Sequence, residues 1–216
     1  MTPDFQRASV KAYEILRDYG ISKTPVFPLR IIENTPGVFV VSFTEASSFT
    51  GVKLTDIVGN QNQDAIAFAQ PRNGGIQYIV AYNQRFPFDI LQFALARELG
   101  HIALGHRGYT PEDVRHAEAV CFAQHLLCPR PLIQAITESD VTPTVETIGA
   151  LTGCYGRFIA EMRHTPGVHV PAELNRAVRN QLSDYISCSL DYLSLINSED
   201  DSPKANFGAF MNNYEE

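Results

Sequence analysis

The stretch that most constrains this chain is a helix-length run at residues 87–106, apolar almost all round yet carrying Arg97, Glu98 and His101. It starts with Pro87 and contains Ile90, Leu91, Phe93, Leu95, Leu99, Ile102 and Leu104. A helix that is apolar on every side belongs inside a core rather than on a surface. At about 100° per residue, His101 falls about 40° from Arg97, and Glu98 lies within the same arc of about 100°. Three ionisable groups therefore share one stripe of a buried helix. Burying them is costly unless they are paired or line a cavity. The stripe fits a structural ion pair between two core helices as well as it fits a site.

A second signal is Glu118. Its helical neighbours are Val114, Cys121 and Phe122, so the carboxylate emerges from an apolar face. Such a group needs a cation, a metal or a guanidinium, or it takes up a proton. Its helix begins at Thr110-Pro111-Glu112-Asp113, a capping hydroxyl followed by proline and two acids, and is expected to run to about Leu127 and stop before Pro129 and Pro131.

The surrounding chain suggests an α+β fold. Residues 4–19 have helical apolar spacing (Phe5, Val10, Tyr13, Leu16, Tyr19) with Gly20 as a stop, and a short helix follows near 28–34. Val38–Phe43 is β-branched and aromatic, hence a strand. Asp64–Gln70 and Ile76–Tyr82 flank Asn73-Gly74-Gly75 and are expected to pair as a hairpin. Further on, residues 143–163 read as two short helices around Thr152-Gly153, 171–196 as another helix, and the tail from Asn197 as loose and acidic.

Composition excludes some classes of function. With 44% hydrophobic residues in a chain of 216, a packed core is expected. A net charge of −7 and no Lys/Arg run argue against a module that works by neutralising phosphates. The N-terminus lacks the apolar core of a signal peptide, and no stretch reaches membrane-spanning length. Cys121, Cys128, Cys154 and Cys188 form no CxxC pair and read as reduced, mostly buried thiols. A cytoplasmic protein without membrane contact is the expectation.

The segment LQFALARELGHIALGH at 91–106 resembles the signature helix of the ImmA/IrrE family, usually RFTLAHELGH followed by another histidine. Glu118-Ala119-x-x-Phe122-Ala123-x-x-Leu126-Leu127-x-Pro129 is similar to the family's EAnxFAxxLLMP, and the resemblance covers about residues 8–160. It implies a zincin-like, gluzincin-type α+β fold with an N-terminal helix, a small antiparallel sheet, two motif-bearing helices and a C-terminal helical region. The implied division is a metallopeptidase-like domain at 1–165, including a helical hairpin at 143–163, then a helical extension at 166–196 and the tail at 197–216.

In that family HExxH supplies two histidine ligands and a glutamate base, because histidines at i and i+4 project from one helix face onto one zinc. The resemblance gives Glu98 the role of general base, acting on zinc-bound water. It gives His101 that of second histidine ligand and Glu118 that of glutamate ligand. Arg97 stands in the place of the first histidine, and a guanidinium has no lone pair for a metal. Arg97 is therefore expected to replace the metal's positive charge, pairing with Glu118 across the helices or with Glu98.

Other side chains near the motifs offer alternative ligands. Cys121, one turn from Glu118, is the best spare, although a core cysteine is the more ordinary role. His116 is about 200° from Glu118 around the helix. His125 shares its face but lies about 10 Å along the axis. His106, rotated by about 140° from His101, is expected to cap the helix C-terminus.

Three functions follow from the resemblance. The first is a catalytically impaired, metal-free relative that binds a regulatory protein partner such as a transcriptional repressor, in a bacterial, phage or mobile-element setting. The second is an active zinc endopeptidase that cleaves a repressor, with zinc completed by a replacement ligand such as Cys121. The third is a DNA-binding regulator using 143–163, disfavoured because Glu161 lies between Arg157 and Arg163 and no basic cluster forms.

Overall fold

A computed structural model describes residues 1–50, 63–72, 75–139, 144–154 and 168–197. The chain divides into two compact units, Met1–Lys11 with Phe27–Ala123, and Ala12–Val26 with Gln124–Glu216. Among the described residues the fold is α+β, and no helix is long and apolar enough to cross a membrane.

The first unit contains the sheet. Helix α1 (Phe5–Asp18) begins there, followed by α2 (Pro28–Glu33), β1 (Val38–Ser42), α3 (Phe43–Thr50), β2 (Ala65–Arg72) and β3 (Gly75–Tyr82). The expected hairpin forms: β2 and β3 pair antiparallel from Ala65 opposite Tyr82 to Arg72 opposite Gly75. Its expected turn residues 73 and 74 lie outside the described residues.

The sheet as a whole corrects the antiparallel expectation. Its order is β1-β3-β2, and β1 runs parallel to β3, Val38 opposite Tyr78 through Ser42 opposite Tyr82. The sheet is mixed because β1 joins the outer edge of β3 rather than that of β2. The hairpin has already turned β3 back into the direction of β1, and strand patterning alone does not choose the edge.

Phe43, expected to end the strand, instead begins helix α3, which the sequence reading does not predict. Its start is a capping box: Ser42 Oγ accepts the Glu45 N–H at 3.1 Å, and the Glu45 carboxylate accepts the Ser42 N–H at 2.7 Å. Two long helices complete the unit, α4 (Phe88–Ala103) and the first part of α5 (Glu112–Leu127). Helix α4 packs on β2 and β3 and buries Phe93, Leu95 and Leu99 together with Glu98. Gly100 lets α4 and α5 approach closely, since a Cβ there would come within 2.9 Å of the Phe122 ring.

The second unit is helical among the described residues. It holds the end of α5, then α6 (Arg130–Glu138), α7 (Val145–Thr152), α8 (Ala172–Gln181) and α9 (Ser183–Asn197). Pro129 and Pro131, expected to end a helix, also begin the next one, with Pro131 in the first turn of α6, where the missing N–H costs nothing. Helix α7 supplies the first half of the expected pair at 143–163, with Thr144 accepting the Thr147 N–H at its start. The second half falls largely outside the described residues, as does the tail from 198. The single helix expected at 171–196 is two, separated at the fully buried Leu182.

Candidate functional site

The stripe of α4 faces a cleft of about 570 Å³ in the first unit, with Arg97, Glu98, His101, Arg115 and His116 among its walls. Two separate clusters of ionisable groups line or back it.

The first is built on Arg97. Its guanidinium donates to Asp64, which immediately precedes β2, at 2.8 and 3.4 Å, and to Glu98 Oε1 at 2.9 and 3.2 Å. The Ala67 N–H of strand β2 donates to the other oxygen, Glu98 Oε2, at 2.9 Å. Both oxygens of Glu98 are thus engaged. Burial raises the Glu98 carboxyl above its ordinary range, against the pull of Arg97. Burial works against the Arg97 charge as well, but hydrogen bonds and charges from Asp64 and Glu98 outweigh it and hold the guanidinium above its ordinary value.

The second cluster is a chain of three side chains. His106 Nε2 lies 2.8 Å from Glu118 Oε2, and His106 Nδ1 lies 2.9 Å from His101 Nδ1. The Asp4 N–H donates to Glu118 Oε1 at 2.8 Å. Burial lowers both imidazoles, His101 to about 4. With both rings neutral, the tautomers follow from the partners. Glu118 can only accept, so His106 carries its proton on Nε2. Its Nδ1 then accepts, so His101 donates from Nδ1. That leaves the lone pair of His101 on Nε2.

Of the two partners expected for Arg97, the structure gives Glu98 and not Glu118, and adds Asp64; Glu118 is held by His106 and the Asp4 N–H. The His106 side chain does not cap the helix as expected; only its backbone N–H closes the helix end. Helix α4 ends at Ala103, and Gly105 at φ +64° turns the chain so that the His106 N–H meets the His101 carbonyl at 3.0 Å. A rotation of about 140° assumes a continuing helix, whereas a left-handed glycine after a helix folds the chain back over its last turn. The Leu104-Gly105-His106 pattern carried that signal.

Asp64 gave no signal, because it sits 33 residues from Arg97 and local periodicity is blind to that pairing. Cys121 stays out of the site: its thiol lies 3.7 Å from the Phe5 carbonyl, and burial, with the Glu118 charge, pushes it up to about 12. His125 belongs to the second unit, beside Tyr13 with ring centroids 6.2 Å apart, and burial lowers it to about 4.

The donor set does not fit the three-ligand zinc site that the resemblance implies. Arg97 offers no lone pair. Both Glu118 oxygens are engaged, by His106 and the Asp4 N–H, so of the residues matched to ligands only His101, through Nε2, keeps a free lone pair. Among the described residues no three His, Cys, Asp or Glu side chains are grouped to hold a metal. Searches against family models, curated proteins and solved structures find no match to the chain.

Proposed function

We propose that this chain is an ImmA/IrrE-like protein whose peptidase chemistry has been replaced by a fixed ion cluster, and that it acts by binding a regulatory protein partner of the transcriptional-repressor class without cutting it. The family part of this reading rests on the two helix motifs. The loss of hydrolysis rests on one observation: Arg97 holds Asp64 and Glu98, so that both oxygens of the would-be base are engaged. A general base must be free to take a proton from its water. Glu98 instead faces a permanent cation on one oxygen and a backbone N–H on the other.

Elemental analysis of the purified protein, paired with Arg97→His, tests the reading. The wild-type protein should carry no stoichiometric zinc and should hold its partner intact in a stable complex. Arg97→His should gain zinc affinity, because it restores a second imidazole one helical turn from His101. Stoichiometric zinc in the wild type, with chelator-sensitive cleavage of a bound repressor, overturns it.

A further inference from the structure

Away from the cleft, the second unit brings together two thiols that lie 26 residues apart in sequence. Cys128 directly follows the last residue of α5, and Cys154 stands two residues beyond the end of α7. Their meeting is set by the way α7 ends. Gly153 at φ +67° turns the chain against Pro25, where a Cβ would come within 2.5 Å of the ring, and the Thr152 hydroxyl accepts the Cys154 N–H at 3.3 Å. Ile148 forms a small core with Cys128, and Ile133 and Val145 pack against it. The Cys128 thiol donates to the Cys154 sulfur at 2.9 Å, against a disulfide bond length of about 2.05 Å.

The two sulfurs are not equivalent. Cys128 is fully buried, whereas Cys154 is partly exposed. The hydrogen bond received from Cys128 holds the Cys154 thiol below the ordinary cysteine range, and the same bond, with burial, drives Cys128 well above it. Of the other thiols, Cys121 meets the Phe5 carbonyl, and Cys188 is 2% exposed and raised by burial. A partly exposed thiol whose ionisation is favoured, beside a second thiol, is the arrangement of a reactive cysteine and its resolving partner.

We propose that Cys154 and Cys128 are a peroxide-sensitive thiol pair, Cys154 attacking the oxidant and Cys128 resolving the product to a disulfide. The Cys154 thiolate attacks one oxygen of hydrogen peroxide; the O–O bond breaks, a sulfenic acid forms, and the departing hydroxide takes up the thiol proton as water. Cys128 sulfur then attacks the Cys154 sulfur and displaces its hydroxyl, which leaves as water with the Cys128 proton. Two thiols and one peroxide give one disulfide and two waters. The sulfurs lose two electrons, and the peroxide oxygens gain them.

The test uses the full chain, reduced with dithiothreitol, freed of reductant and exposed to hydrogen peroxide. Remaining thiols are then alkylated under denaturing conditions and the peptides mapped without reduction. The expected product is a Cys128–Cys154 linked peptide pair, lighter by two hydrogens and restored by dithiothreitol, with Cys121 and Cys188 still alkylated. The thermal midpoint of the oxidised protein should rise, because the link closes a long loop in the unfolded chain. Cys128→Ser should stop Cys154 at a sulfenic acid that dimedone traps, and Cys154→Ser should leave Cys128 unoxidised. Four free thiols after peroxide treatment, or a link formed through Cys121 or Cys188, overturns the proposal. Dimedone labelling of Cys128 in Cys154→Ser overturns the assigned order of attack. The wild-type map decides whether the pair forms even if a serine variant fails to fold.

Discussion

Glu98 and Glu118 are both buried carboxylates on neighbouring core helices, and each accepts one backbone N–H, from Ala67 at 2.9 Å and from Asp4 at 2.8 Å. They part ways at the second oxygen. Glu98 meets a guanidinium that stays cationic at every pH the fold survives; Glu118 meets an imidazole whose charge burial opposes. One half of the cleft is therefore a permanent ion cluster of Arg97, Asp64 and Glu98. The other is a hydrogen-bonded chain through two neutral rings. Arg97 directs its charge to the sheet side, where Asp64 shares it with Glu98.

The difference predicts unequal costs of disruption. Arg97→Ala strands two carboxylates, one of them 6% exposed, and should lower stability by about 3–5 kcal/mol, the usual loss when one partner of a buried pair is removed. Urea unfolding at neutral pH measures it. Asp64→Ala leaves the Arg97–Glu98 contact in place and should cost less. If Arg97→Ala costs under about 1 kcal/mol, the cluster is solvated and the contrast between the two halves collapses.

Acid should sharpen the contrast, because the two halves respond in opposite directions. His101 is lowered to about 4 in the fold from an ordinary 6.5. The unfolded chain then binds the proton more readily, so this contribution is fully present above pH 6.5 and lost as pH falls toward 4. Its full size is on the order of 3 kcal/mol. Glu98 is raised, so its contribution is present below its unfolded range and lost as pH rises through its folded value. His125, also lowered to about 4, adds to the histidine loss from the second unit. Urea midpoints should fall between pH 7 and pH 4.5, with His125→Phe removing part of the drop and the two lowered cleft histidines, His101 and His106, supplying the rest. A midpoint that holds steady or rises over that interval would show that the imidazoles are not kept neutral.

Glu118→Gln probes the neutral half more gently. The amide retains one acceptor but points N–H groups at a donor, either His106 Nε2 or the Asp4 N–H, and should cost about 1–3 kcal/mol. If the amide nitrogen faces His106, the tautomers of both rings must reverse, and imidazole ¹⁵N shifts would record the exchange. Unchanged shifts with a loss of stability would place the unmet donor at Asp4 instead.

In each half of the cleft, part is legible in the sequence and part is not. Arg97, Glu98 and His101 share a helix face, and Glu118 breaks an apolar one, so periodicity alone finds them. The α+β character and the β2–β3 hairpin are similarly local. What was missed depends on tertiary placement or on reading a signal in the wrong sense. Asp64 reaches Arg97 only because β2 lies along α4, and β1 joins β3 in parallel for reasons no strand pattern encodes. The capping box Ser42-x-x-Glu45 and Gly105 before His106 were visible signals, one hidden beneath a β-branched run and the other beneath an extrapolated helix.

The smallest expected effect tests what holds the two halves side by side. Gly100 lies on α4 between Glu98 and His101, where a Cβ would meet Phe122 of α5 at 2.9, 3.1 and 3.2 Å. Gly100→Ala gains about 1 kcal/mol of helix propensity. It also forces the Phe122 ring aside in a packed interior, at about 1–3 kcal/mol. The net loss should be about 0–2 kcal/mol. Because the contact is with a side chain and not with backbone, Gly100→Ala combined with Phe122→Leu should cost less than the sum of the two single changes. A double-mutant cycle in urea measures that coupling. Strict additivity would mean that the two helices are not held by this contact, and that the spacing between the fixed ion cluster and the imidazole chain is set elsewhere in the unit.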